Sequence, residues 1–232
     1  MKTLVITGAS KGIGLATARK FCDAGYRVIN FSRSTPPDSR IESHEIDLTH
    51  QGVEEEIKSL LDMSIEAGEI CLVHNAARLV NDSVKDTDPE ALLDIIRLNI
   101  IAPQMLNQSL ISKMHAGSSI IYIGSTLSEK AVANSFSYLT SKHGIVGMMR
   151  ATCQDLAGTG IHTSCICPGF TDTEMLRTHV GGSQEILDSI AALSAFNRLI
   201  EPGEIADTIY FASQSPVLNG AVIHANLGQI ES

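Results

Sequence analysis

The sequence predicts an α/β chain, a doubly wound three-layer αβα sandwich around a mainly parallel seven-stranded sheet. Three observations carry that expectation. Short apolar runs rich in Val and Ile alternate with longer helical patterns along the 232 residues. Apolar strands in a β-α-β-α rhythm mean a parallel sheet with helices on both faces. The first strand also opens through a glycine-rich turn into a helix, the start of a βαβ unit.

Element by element, the first apolar run gives a strand over Thr3–Thr7, and the stretch after the glycines gives a helix over Gly12–Asp23. Met1 to Gly8 is apolar for only three residues before a glycine, so it is read as the opening strand and not as a signal peptide. Strands are then expected over Arg27–Ser32, Ile41–Ile46, Ile70–His74, Ser119–Gly124, His162–Cys167 and Ala221–Ala225. Helices are expected over Gly52–Met63, Pro89–Leu110, Ser135–Ala157, Gln184–Leu193 and Pro202–Ala212. Connections are short except for Gly169–Gly182, read as irregular and as a candidate lid. The expected organisation is a single domain over residues 1–232, with a lid at about 170–196.

Hydrophobic content of 44% and charged content of 19% suit a globular chain with a substantial core. A formal net charge of −9 disfavours nucleic acid and anionic membrane as partners. No apolar run reaches the length of a membrane span, and a cytoplasmic location is expected. The five cysteines lack zinc spacing and are read as small residues of a reducing compartment, with no metal. Cys165-Ile166-Cys167 is read as placing its thiols on opposite faces of a strand.

Two motifs carry chemistry. Gly8, Gly12 and Gly14, with Ser10, Lys11 and Ile13 between them, form a turn whose backbone can approach a pyrophosphate at a helix N-terminus. Tyr138 and Lys142 stand at i and i+4 on a helix and share a face. A phenol is a weak acid, with an ordinary value of about 10. A fixed cation beside it favours phenolate and makes the group usable in acid–base work. Ser125 ends an apolar strand, at the carboxyl edge where open α/β sheets place their sites.

Thr7-Gly8-x-x-x-Gly12-x-Gly14, Asn75-Ala76-Ala77, Asn99, Ser125, Tyr138-x-x-x-Lys142 and Pro168-Gly169, in this order, closely resemble the short-chain dehydrogenase/reductase family. The resemblance runs over roughly residues 3–228 and implies a Rossmann-type oxidoreductase that moves a hydride between a nicotinamide cofactor and a carbonyl or secondary alcohol. It implies Tyr138 as general acid/base, and Lys142 as the cation that stabilises the phenolate and holds the nicotinamide ribose. Ser125 would polarise the substrate oxygen, and Asn99 would anchor a water that relays protons. For the cofactor it implies the glycine turn, Asp47 at the adenine amino group, Leu48 at the ring, and Asn75, Ala76 and Ala77. Pro168, Gly169, Thr171 and Thr173 would lie around the nicotinamide. Asp47 also fits a helix N-cap. Where the family has Asn-Asn-Ala-Gly, this chain has His74-Asn75-Ala76-Ala77. His74 is read as a core or strand-end histidine, and Ala77 as a small change in cofactor fit. Ser32 stands where NAD-using relatives carry Asp, and Arg33 follows it. With Lys11 this favours a 2′-phosphate and hence NADP(H), with NAD as the alternative.

The lid residues Met175, Leu176, Ile186, Leu187, Ile190 and Phe196 suggest an apolar ketone, a 3-oxoacyl group among the candidates. The negative net charge disfavours docking to an acidic carrier. The family resemblance implies a homodimer or homotetramer. Ala225-Asn226-Leu227-Gly228 in place of a Gly-Gly pair weighs against the tetramer. Rival readings are a dinucleotide-binding sensor or scaffold without turnover, and an extended-type epimerase, which too little chain after Ala195 disfavours.

Overall fold

The computed structural model describes residues 2–50 and 52–230. Met1 and the C-terminal limit of the expected 1–232 unit lie outside them. Seven strands form one sheet in the order β3-β2-β1-β4-β5-β6-β7. They are β1 (Thr3–Thr7), β2 (Arg27–Ser32), β3 (Ile41–Glu45), β4 (Ile70–His74), β5 (Ser119–Ile123), β6 (His162–Pro168) and β7 (Ala221–Ala225). Every pairing is parallel. The central pair sets Thr3 against Ile70, so the first strand finds its inner neighbour far along the chain.

Alternation along the strands feeds two separate cores. Val5, Ile29, Phe31, Ile70, Leu72, Ile120 and Tyr122 point to one face. There they meet α2 (Val53–Ser64), α4 (Ala102–Leu110) and α5 (Phe136–Asp155). Leu4, Ile6, Val28, Val73, Ile121 and Ile166 point to the other face, covered by α1 (Gly12–Asp23) and α8 (Pro202–Ser213). Full burial of β4, β5 and β6 explains their unbroken apolar character.

The element expectations hold to within a residue or two, with three corrections. The helix expected over Pro89–Leu110 is divided: α3 (Pro89–Ile96) and α4 flank a π-helical turn over Arg97–Ile101. Gly169–Gly182 is not wholly irregular. It holds α6 (Glu174–His179), started by Thr173, whose Oγ1 accepts from the Leu176 N–H at 3.3 Å. A two-point Arg177–Asp172 pair at 2.6 and 2.8 Å steadies that start. Third, Cys165 and Cys167 share one face of β6, with Sγ atoms 3.9 Å apart, because positions i and i+2 of a strand point the same way. The chain continues through α7 (Gln184–Ala191). The segment after it is fastened to the last residues: Ala195 N–H donates to Leu227 O at 3.1 Å, and Ile230 N–H to Leu193 O at 2.7 Å.

Candidate active site

Most of the expected residues gather at the carboxyl edge of the sheet, following the end of a strand or lying in the first turns of the helix after it. The glycine turn leaves β1 with Gly8 at φ 71° and Gly12 at φ 56°, where a side chain is strained. Gly14 is required by packing, because a Cβ there would lie 2.2 Å from Gly8 O and 2.5 Å from Asn75 Nδ2. Lys11, the N-cap of α1, makes no side-chain cap, and the first turn holds no acidic residue. The amides at this helix start are thus available to an anion, which is the fit a dinucleotide pyrophosphate needs.

Two amides brace the turn from below. Asn75 Nδ2 donates to Thr7 O (2.9 Å) and Gly8 O (3.0 Å), while Thr7 Oγ1 accepts from the N–H groups of Asn75 and Ala76. Asn75 therefore holds the turn's shape with its side chain. Fully buried Asn30 accepts from the Ala9 N–H at 2.8 Å and donates to Ser32 Oγ and Ser43 Oγ. Asn30 was not singled out, although an amide inside Val28-Ile29-Asn30-Phe31 is the signal that would have found it.

Around the far end of the expected cofactor path, the roles differ. Ser32 is buried, and its hydroxyl donates to Ser34 O at 2.8 Å, so it is turned inward. Arg33 is exposed and makes no ion pair among the described residues. Lys11 Nζ lies 2.5 Å from Glu174 Oε1. Asp47 is not the N-cap of α2, which is Gly52. It caps its own turn, with Oδ1 accepting from the Thr49 N–H (2.9 Å) and Thr49 hydroxyl (2.7 Å). Those bonds hold the Asp47 carboxyl below the usual range. Leu48 is buried in the core. Thr171 donates to Gly169 O, and the Thr173 hydroxyl caps α6. Gly169 N–H donates to Ala225 O, which fixes the turn after Pro168.

Ser125 follows β5, and its Oγ accepts from the Leu127 N–H at 3.1 Å, leaving its proton free to donate. Tyr138 and Lys142 lie on α5. The Lys142 ammonium is buried at 3% exposure, donates to Ile123 O at 2.6 Å and stands 5.5 Å from the centre of the Tyr138 ring. The Tyr138 hydroxyl is half-buried and has no hydrogen bond among the described residues. Asn99 sits in the π turn, a feature that often marks functional positions. Its side chain accepts from the Arg78 N–H (3.3 Å) and donates to Ser141 Oγ (2.8 Å), which donates to Tyr138 O (2.7 Å). The Asn99 side chain thus tethers the Tyr138 segment.

One further positioning group escaped the sequence reading. The Asp82 carboxylate accepts from the Ser137 N–H at 3.1 Å and from the Ser137 hydroxyl, capping α5 from another loop. The helix's own N-cap, Ser135, makes no side-chain cap. His74, 4% exposed, pairs through Nε2 with Asn107 Oδ1 at 2.8 Å, and Asn107 donates to Tyr122 OH. Burial pushes the His74 imidazole down to about 4, so it is a neutral core group.

The positions of Tyr138, Lys142, Ser125 and Asn99, the open helix start and the carboxyl-edge location together suit dinucleotide-assisted proton and hydride transfer. No helix among the described residues is long and apolar enough to cross a membrane, and no group of potential metal ligands occurs among them. The family described as Enoyl-(Acyl carrier protein) reductase matches residues 8–229. A Streptomyces coelicolor protein named "Putative ketoacyl reductase" is 29% identical, covering 89% of this chain and 88% of its own. The crystal structure of a short chain dehydrogenase family protein from Francisella tularensis superposes with a TM-score of 0.89 at 27% identity, covering 98% of both chains. The angucycline C-6 ketoreductase LanV with bound NADP gives 0.84 at 26% identity, over 98% of this chain and 95% of its own.

Proposed function

The chain belongs to the short-chain dehydrogenase/reductase family and is a nicotinamide-dependent oxidoreductase, and we propose that it is an NADPH-preferring reductase of apolar ketones. One observation carries the reading: a buried Lys142 ammonium near the Tyr138 ring, whose hydroxyl has no hydrogen bond among the described residues, at the edge where Ser125 presents a donor proton.

In this reading the cofactor supplies the hydride. Ser125 donates a hydrogen bond to the substrate oxygen and fixes its position, as a preorganised donor should. Tyr138 delivers a proton to that oxygen as negative charge develops on it. Lys142 favours the resulting phenolate by its charge. Asn99 and Ser141 keep Tyr138 at its place on α5. The α1 amides receive the pyrophosphate, and Lys11 and Arg33 attract a 2′-phosphate. Met175, Ile186 and Phe196, all exposed beyond β6, supply apolar area for the substrate. The substrate class draws support from the name of the Streptomyces relative, and the cofactor preference from the NADP in the LanV structure. A homo-oligomer fits the exposed Phe211 on α8 and Val217 just after it.

The test is NADPH oxidation against ketones, 3-oxoacyl thioesters, quinones and sugars. Turnover of an apolar ketone, lost in Tyr138→Phe, is the expected result. Binding of NADPH without turnover of any class, and no effect of Tyr138→Phe, would leave a sensor or scaffold instead. A clearly lower Michaelis constant for NADH would overturn the NADPH preference.

A further inference from the structure

Lys11 is the cation of the glycine turn, yet its partner comes from the far end of the chain. Its Nζ is 2.5 Å from Glu174 Oε1, on the first residue of α6. Beside this pair the two segments also touch. A Cβ placed on Gly12 would lie 3.3 Å from Thr173 Cγ2. The pair is well exposed on both sides, at 59% and 64%. An incoming anion can therefore displace it. Removing Glu174 also leaves α6 with its own supports, the Thr173 cap and the Asp172–Arg177 pair.

From this we infer that Glu174 is a specificity-determining residue. It competes with a cofactor 2′-phosphate for Lys11, and while it holds Lys11 it ties α6 to the glycine turn. The inference rests on the NADPH reading for the direction of Lys11. A 2′-phosphate gains the Lys11 ammonium only by taking it from Glu174, and it also meets repulsion from that carboxylate. A cofactor ending in a ribose hydroxyl breaks nothing. The pair therefore lowers NADPH affinity and leaves NADH affinity alone, so it sets the ratio between them. Release of Glu174 would at the same time loosen α6, so that a phosphate recognised at one end of the cofactor frees the segment beside the reacting end.

Cofactor titrations of the full chain test this, with NADPH and NADH measured separately on wild type, Glu174→Gln, Lys11→Met and the double variant. An exposed pair of this kind corresponds to a change of about two- to five-fold in affinity. Glu174→Gln is expected to tighten NADPH by that factor and leave NADH unchanged, and the gain should vanish in the Lys11→Met background. Amide hydrogen exchange over residues 174–179, recorded without cofactor, should speed up in both single variants. Equal shifts for the two cofactors, or a gain that survives Lys11→Met, overturns the inference. So does unchanged exchange in α6. A wild type that binds NADH more tightly than NADPH defeats the NADPH reading by itself. The competition still stands in that case if Glu174→Gln moves NADPH alone.

Discussion

Gly124 shows how little room surrounds the strand end that carries Ser125. A Cβ on it would lie 2.7 Å from Cys167 Sγ, and 2.9 Å from both Cys165 Sγ and Ser128 Oγ. Gly124→Ala is therefore expected to cost about 1–3 kcal/mol. Because Ser125 is the next residue, turnover should fall more than stability does, and thermal melts read beside kcat will separate the two. His74 sets a pH dependence. Its imidazole has a value near 4 in the fold against about 6.5 when unfolded. A depressed group stabilises the fold fully above the unfolded value, and that contribution is lost as pH falls toward 4. The lost stability is about 3 kcal/mol over pH 6.5 to 4. Denaturant melts across that window should show it, and His74→Asn, which removes the titrating group, should flatten the slope. The tyrosine, lysine and serine were legible because their spacing is local and their chemistry is specific. Asn30 carried a weaker signal, a lone amide in an apolar strand. Asp82 carried none, because it caps a helix from a loop that only tertiary structure brings near.

At the scale of elements, α5 deserves its own test because Tyr138 and Lys142 both ride on it. Its N-terminus is capped by Asp82 and its first turn is tethered to the π turn through Ser141 and Asn99. Asp82→Ala should cost about 1 kcal/mol, the usual worth of a cap. It should also lower kcat, since Tyr138 stands one residue beyond the capped Ser137. Asp82→Asn, which keeps an acceptor for the Ser137 N–H, is expected to recover most of both losses. If the Ala variant melts early yet turns over normally, the cap does not position the tyrosine. The π turn itself was hidden in the sequence: helical patterning over Pro89–Leu110 continues through it, and one extra residue in the hydrogen-bond ladder hardly disturbs the apolar spacing. α6 was hidden for a different reason, since a helix of six residues, placed between Thr173 and a nearby glycine pair, gives too short a pattern to read against a loop.

For the whole molecule, the doubly wound sandwich was legible because strand and helix periods alternate consistently from Thr3 to Ala225, and both cores follow from the same alternation. What composition could not show is how a late segment of the chain closes over an early one, as in the contact of Lys11 with Glu174. Cofactor binding should be felt throughout this single sheet. NADPH at a hundred times its Kd adds about 2.7 kcal/mol to the folded state, which raises Tm by several degrees in a chain of this size. Tyr138→Phe should keep that rise while losing turnover, and a variant that loses both has lost its site and not only its chemistry.

The all-parallel register also governs how this chain must assemble. Parallel neighbours cannot be joined by a tight hairpin, so each pairing waits for a longer connection, as short as residues 33–40 between β2 and β3 and well over a dozen residues elsewhere. β1 can zip to β2 early, but its inner partner begins only at Ile70, and the sheet's last edge begins at Ala221. Loop closure precedes any reward from these distant pairings, which slows folding. As the chain emerges from synthesis, the strand that carries the glycine turn must remain with one edge unsatisfied until the fourth strand arrives. The half of the molecule that greets the nucleotide is the first to be made, and among the most exposed to wrong partners while it waits.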